Sequence, residues 1–199
     1  MPRHRPQDHF GRKAKDEGFA ARSVYKLREI DERVQLLRRG QRVLDLGAAP
    51  GSWSQYAAER VGDEGRIVGV DLAEMRVGVP KNTVFLQHDV YALTPEVLAA
   101  AGPSVPTEFD VVLSDMAPKT TGARVRDQFL SYELYLRAVM LTDTWLVRGG
   151  HFAGKIFQGA ELEDARKATA ERFEQVKIVK PKASRSESYE IFLVGLRHK

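Results

Sequence analysis

The 199-residue chain contains no cysteine. Disulfides and thiolate-bound metal sites are therefore excluded. So is methylation of a pyrimidine ring carbon by the usual covalent route, which needs a thiolate nucleophile. The five histidines show no metal-ligand spacing, so no metal is expected. No apolar run approaches membrane-spanning length, and the N-terminus is too charged for a secretory signal. The expectation is a cytoplasmic protein with no membrane partner. No internal repeat or low-complexity segment interrupts the chain, and its length suits one sizeable core.

What is present centres on Arg42-Val43-Leu44-Asp45-Leu46-Gly47-Ala48-Ala49-Pro50-Gly51-Ser52-Trp53. An apolar strand with an acid near its end breaks into a small-residue loop, and a helix can start after Gly51. Doubly wound α/β folds use this arrangement to seat a nucleoside cofactor at the carboxyl edge of the first strand. A second acid, Asp71, closes the apolar run Ile67-Val68-Gly69-Val70. Its two oxygens suit a ribose diol. NAD would require a G-x-G-x-x-G turn to seat its pyrophosphate. The turn Gly47-Ala48-Ala49-Pro50-Gly51 lacks that spacing. S-adenosylmethionine has no phosphate, and Asp45 near the loop suits its cationic end.

The net charge of +4 is unevenly spread. Residues 1–42 carry a net +6 and residues 177–199 a net +4, whereas the centre, 43–176, carries −6. Two basic ends around an acidic middle suit a polyanion such as RNA. Arg3, Arg5, Arg12, Lys13, Lys15, Arg22, Lys180, Lys182 and Arg185 are the candidate phosphate contacts. Residues 1–12 are expected as a flexible basic arm and 13–199 as a single domain that opens with a basic helix.

Apolar periodicity predicts that helix from about Ala14 to Leu37, with a break near Gly18. It predicts strands at 42–46, 66–71, 83–87, 109–114, 150–157 and about 188–196, and helices at 53–61, 95–101, 128–147 and 160–173. The alternation implies a mostly parallel sheet covered on both faces. The polar segment 119–127 reads as a candidate lid.

Charged residues interrupt these apolar elements. Asp115 ends the strand Phe109-Asp110-Val111-Val112-Leu113-Ser114, and Lys155 lies near the end of the strand that closes with Ile156-Phe157. A lysine there is costly unless it is paired or functional. Glu190 opens the last strand. If that strand runs antiparallel, its start meets the carboxyl ends of the others. Lys26, at the far end of the N-terminal helix, could complete a cluster of two lysines and two carboxylates.

The motifs Ser23-Val24-Tyr25-Lys26-Leu27, Leu44-Asp45-Leu46-Gly47-Ala48-Ala49-Pro50-Gly51-Ser52-Trp53-Ser54-Gln55-Tyr56, Phe85-Leu86-Gln87-His88-Asp89, Ser114-Asp115-Met116-Ala117-Pro118, Lys155-Ile156-Phe157-Gln158-Gly159 and Ser184-Arg185-Ser186-Glu187-Ser188-Tyr189-Glu190 resemble the FtsJ/RrmJ (RlmE) family of ribosomal RNA 2′-O-methyltransferases. The resemblance implies a Rossmann-like S-adenosylmethionine-dependent methyltransferase fold: α/β, with a mostly parallel seven-stranded sheet, an antiparallel last strand and helices on both faces. It implies a catalytic tetrad of Lys26, Asp115, Lys155 and Glu190. Lys155 would be the proton acceptor, Asp115 its orienter, Lys26 a guide for the hydroxyl and Glu190 a holder of the lysines. Implied cofactor contacts are Gly51, Trp53, Asp71, Asp89 and Asp115, with Asp89 near the adenine; Asp45 and Gly47 join them from the loop. The implied substrate is a uridine ribose of 23S rRNA in the large ribosomal subunit, and the expected state is a monomer. Ser52 stands where the family commonly has glycine, and Lys119 where it commonly has asparagine. A transfer RNA ribose is the alternative substrate, and a non-catalytic RNA-binding ribosome-assembly factor the alternative of another class.

Overall fold

A computed structural model describes residues 9–75, 78–184 and 188–199. Arg3, Arg5 and Arg185 lie outside them. Two helices, α1 (His9–Asp16) and α2 (Val24–Val34), precede β1 (Arg42–Leu46). Then follow α3 (Ser52–Val61), β2 (Arg66–Asp71), β3 (Thr83–Gln87), α4 (Pro95–Ala100) and β4 (Phe109–Ser114). The chain closes with α5 (Arg124–Trp145), β5 (Leu146–Phe157), α6 (Leu162–Arg172), β6 (Phe173–Val179) and β7 (Glu190–His198). The sheet order is β3-β2-β1-β4-β5-β7-β6. β1 pairs in parallel with β2 and β4, and β7 runs antiparallel to both β5 and β6. The order reverses beside β1, so the β1 and β4 carboxyl ends flank the crevice where such sheets hold ligands.

Alternation along the strands sorts the core into two layers. Val43, Val111, Leu113, Ala153, Phe192 and Val194 pack with α1, α2 and α3. Leu44, Val68, Val112, Phe152, Ile191 and Leu193 pack with α4, α5 and α6.

The single N-terminal helix expected from Ala14 to Leu37 is two helices. Gly18, at φ +80°, ends α1, with Phe19 N–H bonded to the Ala14 carbonyl and Gly18 N–H to the Lys15 carbonyl. This is a Schellman closure, which glycine favours at its left-handed position. α1 already begins at His9, inside the stretch expected as an arm. Lys26 therefore stands in the first turn of α2 rather than at a far helix end. α5 starts at Arg124, inside the segment read as a candidate lid. Asp127 holds the preceding turn by accepting hydrogen bonds from the Thr121 N–H and hydroxyl and from the Gly122 N–H.

One buried acid ties the N-terminal layer together. Asp31 accepts hydrogen bonds from Leu37 N–H (2.8 Å), the Tyr56 hydroxyl (3.0 Å) and Arg60 Nε (3.0 Å), joining α2 to α3. Its removal leaves a buried amide and a hydroxyl without partners. Asp31→Ala is expected to lower unfolding free energy by about 3 kcal/mol in urea titrations. An unchanged midpoint would contradict this role.

Candidate active site

The β1–α3 loop is built for close approach. Gly47, at φ +79°, sits so near β4 that a Cβ there would meet Met116 Cγ at 2.8 Å. Gly51, at φ +117°, precedes the first turn of α3. The Gly47 and Ala48 N–H groups both donate to the Val70 carbonyl, at 2.8 and 3.2 Å. Asp71 Oδ2 accepts from Ala49 N–H (3.0 Å) and Oδ1 from Ala73 N–H (2.8 Å). Each carboxylate oxygen keeps a further lone pair for a ligand hydroxyl.

Beyond these strand ends lies a cavity of about 280 Å3, bordered by Gly47, Asp71, Leu72, Asp89, Tyr91 and Met116. That volume is at the small end for a small-molecule site. Leu72 and Tyr91 are 69% and 53% exposed at its rim. Two acids with exposed apolar side chains beside them match the hydroxyls and ring faces of a nucleoside. Asp89 is held in place by its Oδ1, which accepts from Tyr91 N–H at 2.9 Å.

Asp115 follows β4 and directly precedes Met116 of the cavity wall. Lys155 Nζ donates to the Asp115 carbonyl at 2.6 Å and lies 3.0 Å from its Oδ1. The lysine is only 6% exposed. Lys26 Nζ lies 2.6 Å from Glu190 Oε1, which is also largely buried. On the paired strands Lys155 is opposite Phe192, and Phe157 is opposite Glu190. Lys155 and Glu190 are thus diagonal neighbours on one face, about 7–8 Å apart along the backbone. Two ion pairs from four separate segments stand at the carboxyl rim, and one of them, through Asp115, adjoins Met116 of the cavity wall.

What sets α2 against this rim is a small polar seam. The Ser23 and Ser52 hydroxyls are 2.8 Å apart, and Trp53 Nε1 donates to the Ser23 carbonyl at 2.9 Å. The Trp53 indole is buried against Phe192. Position 53 therefore serves the geometry of Lys26 through its side chain.

The chain matches the FtsJ-like methyltransferase family over residues 19–198. The chain belongs to the FtsJ-like methyltransferases. It is 50% identical to Ribosomal RNA large subunit methyltransferase E of Sorangium cellulosum, over all of this chain and 91% of that protein. Its namesake from Bdellovibrio bacteriovorus is 48% identical, over 98% of this chain and 99% of that one. Among solved structures, one described as a ribosomal RNA methyltransferase from Plasmodium falciparum superposes with a TM-score of 0.77 at 26% identity, covering 90% of this chain and 98% of that one. Aeropyrum pernix fibrillarin, solved with bound S-adenosyl-L-methionine, superposes with a TM-score of 0.64 at 17% identity, over 87% of this chain and 76% of that one, and shares the fold.

Within this FtsJ-like methyltransferase, Gly47, Asp71 and Asp89 border the cavity, and Asp115 adjoins it. Asp45, expected beside the cationic end of the cofactor, stands back from the cavity. Its side chain faces α3 and is fully buried, with Oδ2 accepting from the Ser54 hydroxyl at 2.7 Å and Oδ1 unpartnered. It lies one residue before the strand end and does not border the cavity. Burial pushes its carboxyl up to about 7; the Ser54 bond opposes this, and Asp115 and Asp71 reinforce it. Sequence reading passed over Leu72, Tyr91 and Met116, each of which directly follows a strand end or its adjacent turn. Position past a strand end is the signal that would have found them.

The basic ends meet. Arg22 donates to the Ala183 carbonyl at 2.7 Å, and Lys182 N–H donates to Glu29 at 2.6 Å. The 180–184 segment thus lies against α2, near Lys26. Lys13 caps the Tyr25 ring, 5.0 Å from its centroid, and is 3.7 Å from Glu17.

Asp45 makes stability depend on pH. The folded acid keeps its proton to about pH 7. The unfolded acid loses its proton near 3.8, so between these values the folded state binds more protons. Stability is therefore expected to fall as pH rises from about 4 to about 7 and then to level off. Asp45→Asn is expected to flatten that decline in denaturant midpoints measured across the range. A variant that keeps the full decline would contradict the assignment.

Proposed function

We propose that this chain transfers the methyl group of S-adenosylmethionine to the ribose 2′-hydroxyl of a uridine in 23S rRNA of the large ribosomal subunit. The observation that carries this reading is the Lys155–Asp115 pair, buried beside a cavity that two acids and two exposed apolar groups fit to an adenosine. Membership of the FtsJ-like family and relatives named for large-subunit rRNA support it.

Asp71 would hold the ribose hydroxyls of the cofactor, and Asp89 would lie beside the adenine. Gly47 and Gly51 give the loop its close approach. When bound, the cofactor supplies an electrophilic methyl on a sulfonium, which needs no further activation.

The chain must supply a proton acceptor, because a ribose hydroxyl is a poor nucleophile at neutral pH. Lys155 takes that role. Its Nζ faces two acceptors of Asp115, the carbonyl and Oδ1. The hydrogen bond to the carbonyl and the nearby carboxylate fix Nζ at the end of β5, where an incoming hydroxyl would meet it. Asp115 is thus the orienter. Lys26, held by Glu190 at 2.6 Å, stabilises the negative charge that develops on the attacking oxygen. Arg12, Lys13, Lys15, Arg22, Lys180 and Lys182 would contact phosphates and position the RNA, with an affinity that weakens steeply in salt. Arg3, Arg5 and Arg185 would add to them from outside the described residues.

The test is transfer of labelled methyl to large ribosomal subunits, free 23S rRNA and transfer RNA, followed by mapping of the product. Label on a uridine 2′-oxygen of 23S rRNA is expected. Label on transfer RNA or on a base would overturn the reading. Lys155→Ala is expected to lower kcat by about 10²- to 10⁴-fold, with the affinity for S-adenosylmethionine in calorimetry unchanged. Normal turnover by that variant would remove Lys155 from the mechanism.

A further inference from the structure

An aromatic and an arginine stand together at the mouth of the site, outside the tetrad and the cavity. Tyr189 directly precedes Glu190, and Phe157 lies two residues after Lys155 on β5. The two rings meet edge to face, with centroids 4.9 Å apart at 68°. The Tyr189 carbonyl accepts from Gln158 N–H at 2.8 Å, which fixes the backbone there. The Arg124 guanidinium, from the first residue of α5, lies 5.3 Å from the Tyr189 ring centroid. Arg124 is exposed, and it has no ion-pair partner among the described residues.

We propose that Tyr189 and Arg124 form a stacking platform for the base of a nucleotide that flanks the modified one. Proteins that act on splayed RNA hold its bases on aromatic faces and on guanidinium planes. Here both surfaces occur in one pair. Phe157 braces the tyrosine from behind, and Arg124 keeps its charge free for a phosphate beside the stacked base. The platform is tied to the reacting centre through both strands: Phe157 is opposite Glu190 in the β5–β7 register and follows Lys155 on the same face. A base seated there would bring the adjoining ribose to Lys155. The proposal rests on the RNA-methylating reading above and adds a specificity-determining subsite to it. Stacking reads no single base edge, so the platform selects an unstacked strand geometry rather than a sequence.

The test is steady-state methyl transfer to large ribosomal subunits by Tyr189→Leu, Tyr189→Trp, Arg124→Ala and the Tyr189→Leu/Arg124→Ala double variant. Tyr189→Leu is expected to raise KM for the subunit about tenfold, with kcat and S-adenosylmethionine affinity little changed. Tyr189→Trp keeps a ring and is expected to restore KM. The slope of log KM against log salt should be unchanged in Tyr189→Leu, because no phosphate contact is lost. Arg124→Ala, an exposed change that leaves the core intact, is expected to raise KM as well. The double variant is expected to lose less than the product of the single losses. Equal KM in Tyr189→Leu and the wild type overturns the platform, as does equal damage from leucine and tryptophan. Full multiplicativity in the double variant overturns the pairing of the two residues. Wild-type protein that methylates no RNA overturns the functional reading itself, and the platform with it.

Discussion

The site depends on holding the Lys155 amine in a dry place. An ammonium taken out of water costs several kcal/mol, and Asp115 offsets that cost twice, through its carbonyl and its carboxylate. Such pairs add little net stability, since well-packed apolar residues would serve as well or better. What the pair gives is an amine in one fixed orientation at the end of β5. Everything around it follows from that requirement. β4 must end beside β5 so that Asp115 arrives. Met116 then passes directly into the cavity wall, which places the lysine within one residue of the cavity.

The second pair shows how the N-terminal helices enter the same design. Lys26 comes from α2, which is not part of the alternating strand-helix array. It reaches Glu190 because Ser23, Ser52 and Trp53 fix the start of α2 against α3. Asp31 secures the far end of the same helix through Tyr56 and Arg60. Glu29 and Arg22 then draw the 180–184 segment alongside. One helix therefore joins the reacting rim to the basic ends of the chain. In the proposed reaction the phosphates that bind those ends are continuous with the ribose at Lys155.

Much of this was legible in the sequence, for physical reasons. β1, β2 and β4 are buried runs that end at or beside Gly47, Asp71 and Asp115, and the bounds of β1 to β4 coincide with those read from apolar patterning. That Lys155 needs a partner could be anticipated, because a charge in an apolar strand is costly alone; which acid meets which lysine depends on how β4, β7 and α2 pack, and so was not legible. β6 was not located. It is an edge strand whose burial does not alternate, and it follows α6 without a turn residue between them. The start of β5 was missed for a related reason: Arg148-Gly149-Gly150 reads as a turn, yet the strand runs through it. The burial of Asp45 was not legible, because a strand-end acid and a buried strand acid look alike in one dimension. The depth of its burial depends on α3, which packs over it through Ser54.

The most direct test of the account is a crystal structure with S-adenosylhomocysteine. Its adenosine is expected between Asp71 and Asp89, beneath Leu72 and Tyr91, and its sulfur beside Asp115 on the side that faces Lys155. A ligand seated elsewhere, such as the hollow by Gln55 and Asn82 at the amino ends of β2 and β3, would contradict this placement. So would a sulfur turned away from the Lys155 amine.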